Sequence, residues 1–163
     1  MGEILKKRLK MSRFESPEQE ALLALMVTAS ELRANMDRTL SESGMTGEQF
    51  NILRILRGAG AEGHPSGAIG CRMIDRSPDV TRRIDTLEKQ GYVGRERSTE
   101  DKRVVHVRIT KKGEDLLDTI APKLLVYQKQ VTANLTETEL LQLSALCERL
   151  IAMQDDRSEP CNS

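Results

Sequence analysis

The chain of 163 residues can form one cored domain, or a small domain with long helices that a partner must cover, and is too short for two enzyme-sized domains. Its 25 basic side chains balance 25 acidic ones, so bulk electrostatics alone would not draw it to nucleic acid or membrane. Three cysteines, at 71, 147 and 161, form neither a CxxC pair nor an even-numbered disulfide framework, which excludes a stapled secreted scaffold and leads to the expectation of a reducing, cytoplasmic setting.

Residues 1–14, MGEILKKRLKMSRF, contain no apolar run that could serve as a secretory h-region, and Lys6 stands where an N-myristoylation signal has Ser or Thr. No stretch is apolar for long enough to span a bilayer. Residues 1–16 are read as a flexible basic arm in solvent. From Pro17 the pattern turns helical: Leu22, Leu25, Met26, Ala29, Leu32, Met36 and Leu40 recur at three- and four-residue steps, and Gly44 closes the run. A second helix begins at Thr46, where TGEQ places Gln49 for a capping box, with Phe50, Leu53 and Leu56 as its buried stripe. After the turn-rich GAEGHPSG, Ser66 is expected to cap a short helix to about Met73 that carries Ala68, Ile69 and Met73 inward. Ser77 is expected to cap the next, with Pro78 at its first position; Val80, Ile84 and Leu87 form its buried face and Gly91 stops it.

Beyond Gly91 the period changes to two. YVGRERS and VVHVRIT read as short strands joined by a charged tip, Thr99 to Arg103. Thr110 then caps a long helix with Leu117, Ile120, Leu124, Tyr127, Val131 and Leu135 in an approximate heptad, where Pro122 predicts a kink. TETE opens the last helix, with Leu140, Leu143, Leu146, Leu150 and Ile151 apolar, and the tail is read as disordered. The fold expected is mainly α (α+β): a winged helix-turn-helix over 45–112, between long dimerisation helices at 17–44 and 113–154, with a disordered 155–163. The terminal helices have no evident partner inside so small a chain, so a homodimer is expected to bury them.

The charge is unevenly placed. Residues 72–112 hold twelve basic and seven acidic side chains, whereas 113–163 hold four and nine, the asymmetry expected when one segment faces a polyanion. With Val80, Ile84 and Leu87 inward, Pro78, Arg82, Asp85, Thr86 and Lys89 point to the far side of their helix, with Asp79 and Arg83 on a flank. Arginines and short polar groups near a helix N-terminus are what major-groove readout needs. A solvated helix pairing with Asp79, Asp85 and Glu88 is the plain alternative. The adjoining wing, with Arg95, Arg97, Lys102 and Arg103, favours DNA, because a basic hairpin tip can reach the flanking minor groove.

The segment PDVTRRIDTLEKQGYVGRERSTEDKRVVHVRITKKGEDLL resembles the recognition helix and wing of the MarR family of transcription regulators, including the D-x-R of the wing at Asp101 and Arg103 and the T-x-x-G that opens the following helix. The resemblance is specific over about residues 46–117. It implies a homodimer on a pseudo-palindromic operator in double-stranded DNA, a wing arginine, Arg103, in the minor groove, a wing acid, Asp101, that steadies the hairpin, and base or phosphate contacts near the helix start. The candidate DNA-binding residues are Ser77, Pro78, Asp79, Thr81, Arg82, Arg83, Thr86, Lys102 and Arg103. The expected function is a ligand-responsive repressor, the effector phenolic in many relatives. The alternatives are a winged-helix module that binds protein through the same face, and a regulator switched by cysteine oxidation.

Cys71 reads as a small core residue rather than a sensor, and Cys147 as buried in its helix. His64 and His106 lack companions for a metal site, and no cofactor is expected. The absence of a Gly-rich phosphate loop, a nucleophile elbow or a paired-carboxylate and His constellation argues against an enzyme.

Overall fold

The computed structural model describes residues 2–75, 79–97 and 104–155. Helix α1 spans Glu3–Leu9, inside the segment expected to be a flexible arm. Seven residues are too few for a helix to stand alone in water. This one has Glu3 in its first turn and Lys6, Lys7 and Arg8 in its last, matching the helix dipole, and Arg8 reaches Glu31 on the next helix. Lys10 ends it in the left-handed conformation, φ 55°.

Helix α2, Pro17–Ser41, starts at the expected Pro17; a cap the sequence reading did not single out precedes it, Ser16 Oγ accepting from the Gln19 N–H at 3.2 Å. Only Leu40 of this helix is buried, while Leu22, Leu25, Met26 and Leu32 stand 38–66% exposed. Helix α3, Gly47–Gly58, has the full capping box, with Thr46 and Gln49 bonding reciprocally at 3.2 and 3.0 Å, and buries Phe50, Ile52, Leu53 and Leu56.

A 3₁₀ turn, Gly60–Glu62, leads into β1, His64–Pro65, which the sequence reading missed. Two residues are too few to show alternation. Gly63, φ 66°, makes the strand possible, since any side chain there would drive into the Val107 backbone. Helix α4 is Ser66–Arg72; Ser66 is its first residue and Pro65 its cap, so Ser66 is not the capping side chain expected. Helix α5, Val80–Lys89, is flanked by Asp79 as its N-cap residue, later than the expected start at Ser77 and Pro78, which lie outside the described residues. It closes in a Schellman arrangement, with Gly91 at φ 76° and the Tyr92 N–H on the Leu87 carbonyl at 2.9 Å.

Strands β2, Val93–Arg97, and β3, Val105–Ile109, pair antiparallel from Val93↔Ile109 to Arg97↔Val105, and β1 adds to the other edge of β3. The wing is therefore the outer part of a three-stranded sheet rather than a free hairpin. Helix α6, Lys111–Val131, continues through the exposed Pro122 as one element, burying Leu117, Ile120 and Leu124. Helix α7 is Glu137–Asp155; Glu139 Oε2 accepts from the Thr136 N–H at 2.8 Å to complete the expected capping box. The core runs from Leu40 to Leu124, and Leu141, Leu143, Leu146, Leu150 and Ile151 of α7 remain largely exposed.

The T-x-x-G at Thr110 to Gly113 joins sheet to helix. Thr110 Oγ1 accepts from the Gly113 N–H at 3.2 Å, and a Cβ at 113 would press on the Tyr92 carbonyl and stand 2.7 Å from Ile109 Cγ1. Gly113→Ala is therefore expected to lower the unfolding free energy by about 1–3 kcal/mol through overpacking, despite the better helix propensity of Ala. Urea denaturation at fixed protein concentration measures it as an earlier midpoint with an unchanged slope.

Candidate nucleic-acid interface

Helix α5 is fixed in rotation by a narrow buried stripe, Val80, Ile84 and Leu87, with the last two fully inaccessible. At a hundred degrees per residue, this sends Thr81, Arg82, Thr86 and Lys89 into solvent. Thr86 Oγ1 donates back to the Arg82 carbonyl at 3.0 Å, and the residue is exposed. The outward row contains Thr81, Arg82 and Thr86 from the candidate DNA contacts.

Arg83 sits differently. It is half-buried, and one guanidinium nitrogen lies 3.1 Å from Glu48 Oε1 in the first turn of α3. Its reach toward a duplex is thus shared with an acid on a neighbouring helix. Asp85 was expected on the far face, but it turns toward the sheet: Arg95 of β2 places one nitrogen 2.5 Å from Asp85 and the other 2.6 Å from Glu88. The Asp85 hydrogen bond is the largest influence raising the Arg95 pKa above its ordinary value, and the charge of Glu88 adds to it. Arg95 is a clamp between α5 and β2 rather than a free cation on the wing. Asp85 and Glu88, three apart on one flank, with an arginine on the following strand, were the sequence signal for it. Arg97, at the end of β2, is exposed.

Between the N-terminus of α3 and the outer side of α5 lies a polar recess of about 200 Å³, lined by Thr46, Glu48 and Gln49 from one side and Asp79, Arg82, Arg83 and Thr86 from the other. Ser77 and Pro78 of the recognition segment, and Asp101, Lys102 and Arg103 of the wing, lie outside the described residues.

Cys71 is half-buried, with its Sγ 3.9 Å from the Gly67 carbonyl oxygen, so it is not the core residue expected; Cys147 is also only partly buried. The sheet brings His64 and His106 onto adjacent strands, where burial is the main cause lowering the His64 pKa and Arg72 and His106 contribute. Among the described residues, no three His, Cys, Asp or Glu side chains stand together as a metal site, and no helix is long and apolar enough to cross a membrane.

This arrangement has known counterparts. Residues 45–105 match the model of the MarR family. The crystal structure of a MarR transcription factor from Planctomyces limnophilus is 34% identical, covers 83% of this chain and 98% of its own, and superposes with a TM-score of 0.65. The chain belongs to the MarR family. The transcriptional repressor MprA of Escherichia coli (strain K12) is 28% identical over 93% of this chain and 88% of its own length. The S. aureus MepR–DNA complex, 19% identical over 85% of this chain and 99% of its own, shares the fold at a TM-score of 0.73. This MarR-family chain is accordingly a DNA-binding transcription regulator and not an enzyme, and α4, α5 and the β2–β3 wing are its winged helix-turn-helix.

The clamp predicts a measurable stability term. Arg95→Met leaves Asp85 and Glu88 as like charges without their counterion, and is expected to cost about 1 kcal/mol at low ionic strength, shrinking as salt approaches about 1 M. Arg95→Lys should restore only part of it, because one ammonium cannot bridge both carboxylates as a guanidinium does. Denaturant melts at two salt concentrations measure both; equal stability of all three proteins would leave the clamp without energetic weight.

Proposed function

We propose that the chain acts as a homodimeric repressor that reads a pseudo-palindromic operator and is released by a small-molecule effector in the cytoplasm. The carrying observation is the outward row Thr81, Arg82 and Thr86 on a helix whose rotation is fixed by its buried stripe and by Arg95. Arg82 is assigned to a guanine edge, Thr81 and Thr86 to base or phosphate, and Arg83 to phosphate from its seat beside Glu48. Asp79, at the helix start, accepts from a cytosine amino group or complements the helix dipole. Ser77 and Pro78 bring the chain to the groove; Lys102 and Arg103 enter the flanking minor groove, with Asp101 steadying the tip.

Segments 17–44 and 113–154 are assigned to dimerisation. Their exposed apolar residues, from Leu22 to Ile151, support this, because a second copy would remove them from water. Repression is proposed from the likeness to MprA, whose name records it. A cleft of about 370 Å³ where α2 meets α6, lined by Asn35, Arg38, Thr39, Tyr127, Gln130 and Val131, offers an anionic or phenolic effector a cation and a phenol.

The test begins with selection of a duplex of about 30 base pairs from a randomised pool, long enough for two half-sites one turn apart. Affinity should fall steeply with salt, each neutralised phosphate contributing a slope of about −0.9. Arg82→Ala should cost about 1–3 kcal/mol and relax preference at one base pair in each half-site. No selected sequence, or a flat salt response, would count against DNA binding and leave the exposed face to a protein partner.

A further inference from the structure

The turn between α4 and α5 is tied at successive residues to two other helices. The Ile74 N–H donates to Asn51 Oδ1 of α3 at 2.9 Å. The Asp75 carboxylate accepts from both terminal nitrogens of Arg33 on α2, one of them at 3.1 Å. One turn further along α2, Asp37 accepts from the Gly47 N–H at 3.1 Å, in the first turn of α3. That approach is so close that a Cβ at Gly47 would stand 2.8 Å from the same carboxylate oxygen. The next residue, Glu48, holds Arg83 of α5. Arg33 and Asp37 are four apart and share a face, so one side of α2 grips both α3 and the approach to α5.

We propose that Arg33 and Asp75 are a positioning pair for DNA binding: their two-pronged bridge fixes the approach to α5 against α2, and so sets how the recognition helix meets the duplex, without Arg33 touching phosphate. The inference rests on the DNA-binding reading above. An exposed ion pair is normally close to neutral in energy, and two parallel hydrogen bonds to one carboxylate are the geometry that makes it count. At 57% and 42% side-chain exposure, the pair contributes to presentation of α5 more than to global stability. The Asp75 hydrogen bond raises the Arg33 pKa above its ordinary value, with Asp37 and Glu48 adding, so the guanidinium stays charged throughout any usable pH range.

The pair separates positioning from bulk electrostatics, because its two halves have opposite charge. Arg33→Gln removes a cation while keeping a polar side chain, and Asp75→Asn removes an anion with almost no change in size. If only the overall field mattered, the first would weaken DNA binding and the second strengthen it. Positioning requires both to weaken it. The experiment measures affinity for the selected duplex across a salt series for wild type, both single variants and the double, well below the melting temperature of all four. Each single variant is expected to lose about three- to tenfold, the double no more than either single, with the salt slope of wild type retained. Unchanged or tighter binding by Asp75→Asn, losses that add in the double, or a slope shallower by about one phosphate in Arg33→Gln would overturn the pair. A wild-type protein that binds no duplex instead removes the DNA-binding reading, and the pair with it.

Discussion

Three side chains set the geometry on which the interface depends. Val80, Ile84 and Leu87 are all that α5 buries, and they lie on a face so narrow that the helix has one way to lie against the core. Once that rotation is set, the other side chains have no choice of direction. Arg82 and Thr86 face outward, Arg83 falls toward α3, and Asp85 and Glu88 fall toward β2. A broader apolar stripe would have submerged the outward row, and a weaker one would have left the helix free to roll. The well-filled core beneath it, with Leu53, Leu56, Ile69 and Leu117 inaccessible, resists such rolling because closely packed interiors do not deform gradually.

Electrostatics then does something other than attract. A chain of zero net charge holds a basic segment, yet several of its arginines are already engaged: Arg83 by Glu48, Arg95 by Asp85 and Glu88, Arg108 by Glu96. Each of these joins two different elements or two strands. None is deeply buried, so each contributes at most about 1 kcal/mol to stability. Their common effect is orientation, fixing the wing relative to α5 and α5 relative to α3. That division leaves Arg82, near the N-terminal end, and Lys89, at the C-terminal end, as the outward cations of α5.

What was legible in the sequence divides along physical lines. The helices with strong caps were visible because their signals are local: Thr46 with Gln49, Thr110 with Gly113, Thr136 with Glu139. The inward face of α5 followed from its spacing alone. Three features were not visible, each for its own reason. Strand β1 is two residues long and exists through pairing with β3, a contact more than forty residues away. Helix α1 is held by α2 through Arg8 and Glu31, so composition alone made it look like a frayed arm. Ser66 had the right chemistry for a cap, but the backbone turns one residue earlier, at Pro65. The segment's arginines read as a patch, whereas among the described residues pairing between elements separates those that face out, Arg82 and Arg97, from Arg83, Arg95 and Arg108, which hold position.

The same helix that carries the Arg33 bridge also carries the surface a second copy would cover. Leu22, Leu25, Met26 and Leu32 lie along α2 with much of their area in solvent, and Leu32 immediately precedes Arg33. Tyr127 of α6 donates to the Leu32 carbonyl at 3.3 Å, so the C-terminal half of the chain also bears on α2 at this point. Of α2 only Leu40 is buried within one chain, and Leu141, Leu143, Leu146, Leu150 and Ile151 of α7 stand exposed. Covering both in a dimer would fix the axis of α2, and α2 in turn holds the turn before α5 through Arg33 and α3 through Asp37. The distance between two recognition helices would then be decided where the subunits meet and delivered along a rigid helix to the turn before α5. On the proposed reading, a molecule lodged in the cleft of Asn35, Arg38 and Tyr127 would bear on the same helix, and a small displacement there would take two recognition helices out of step with the turns of one duplex.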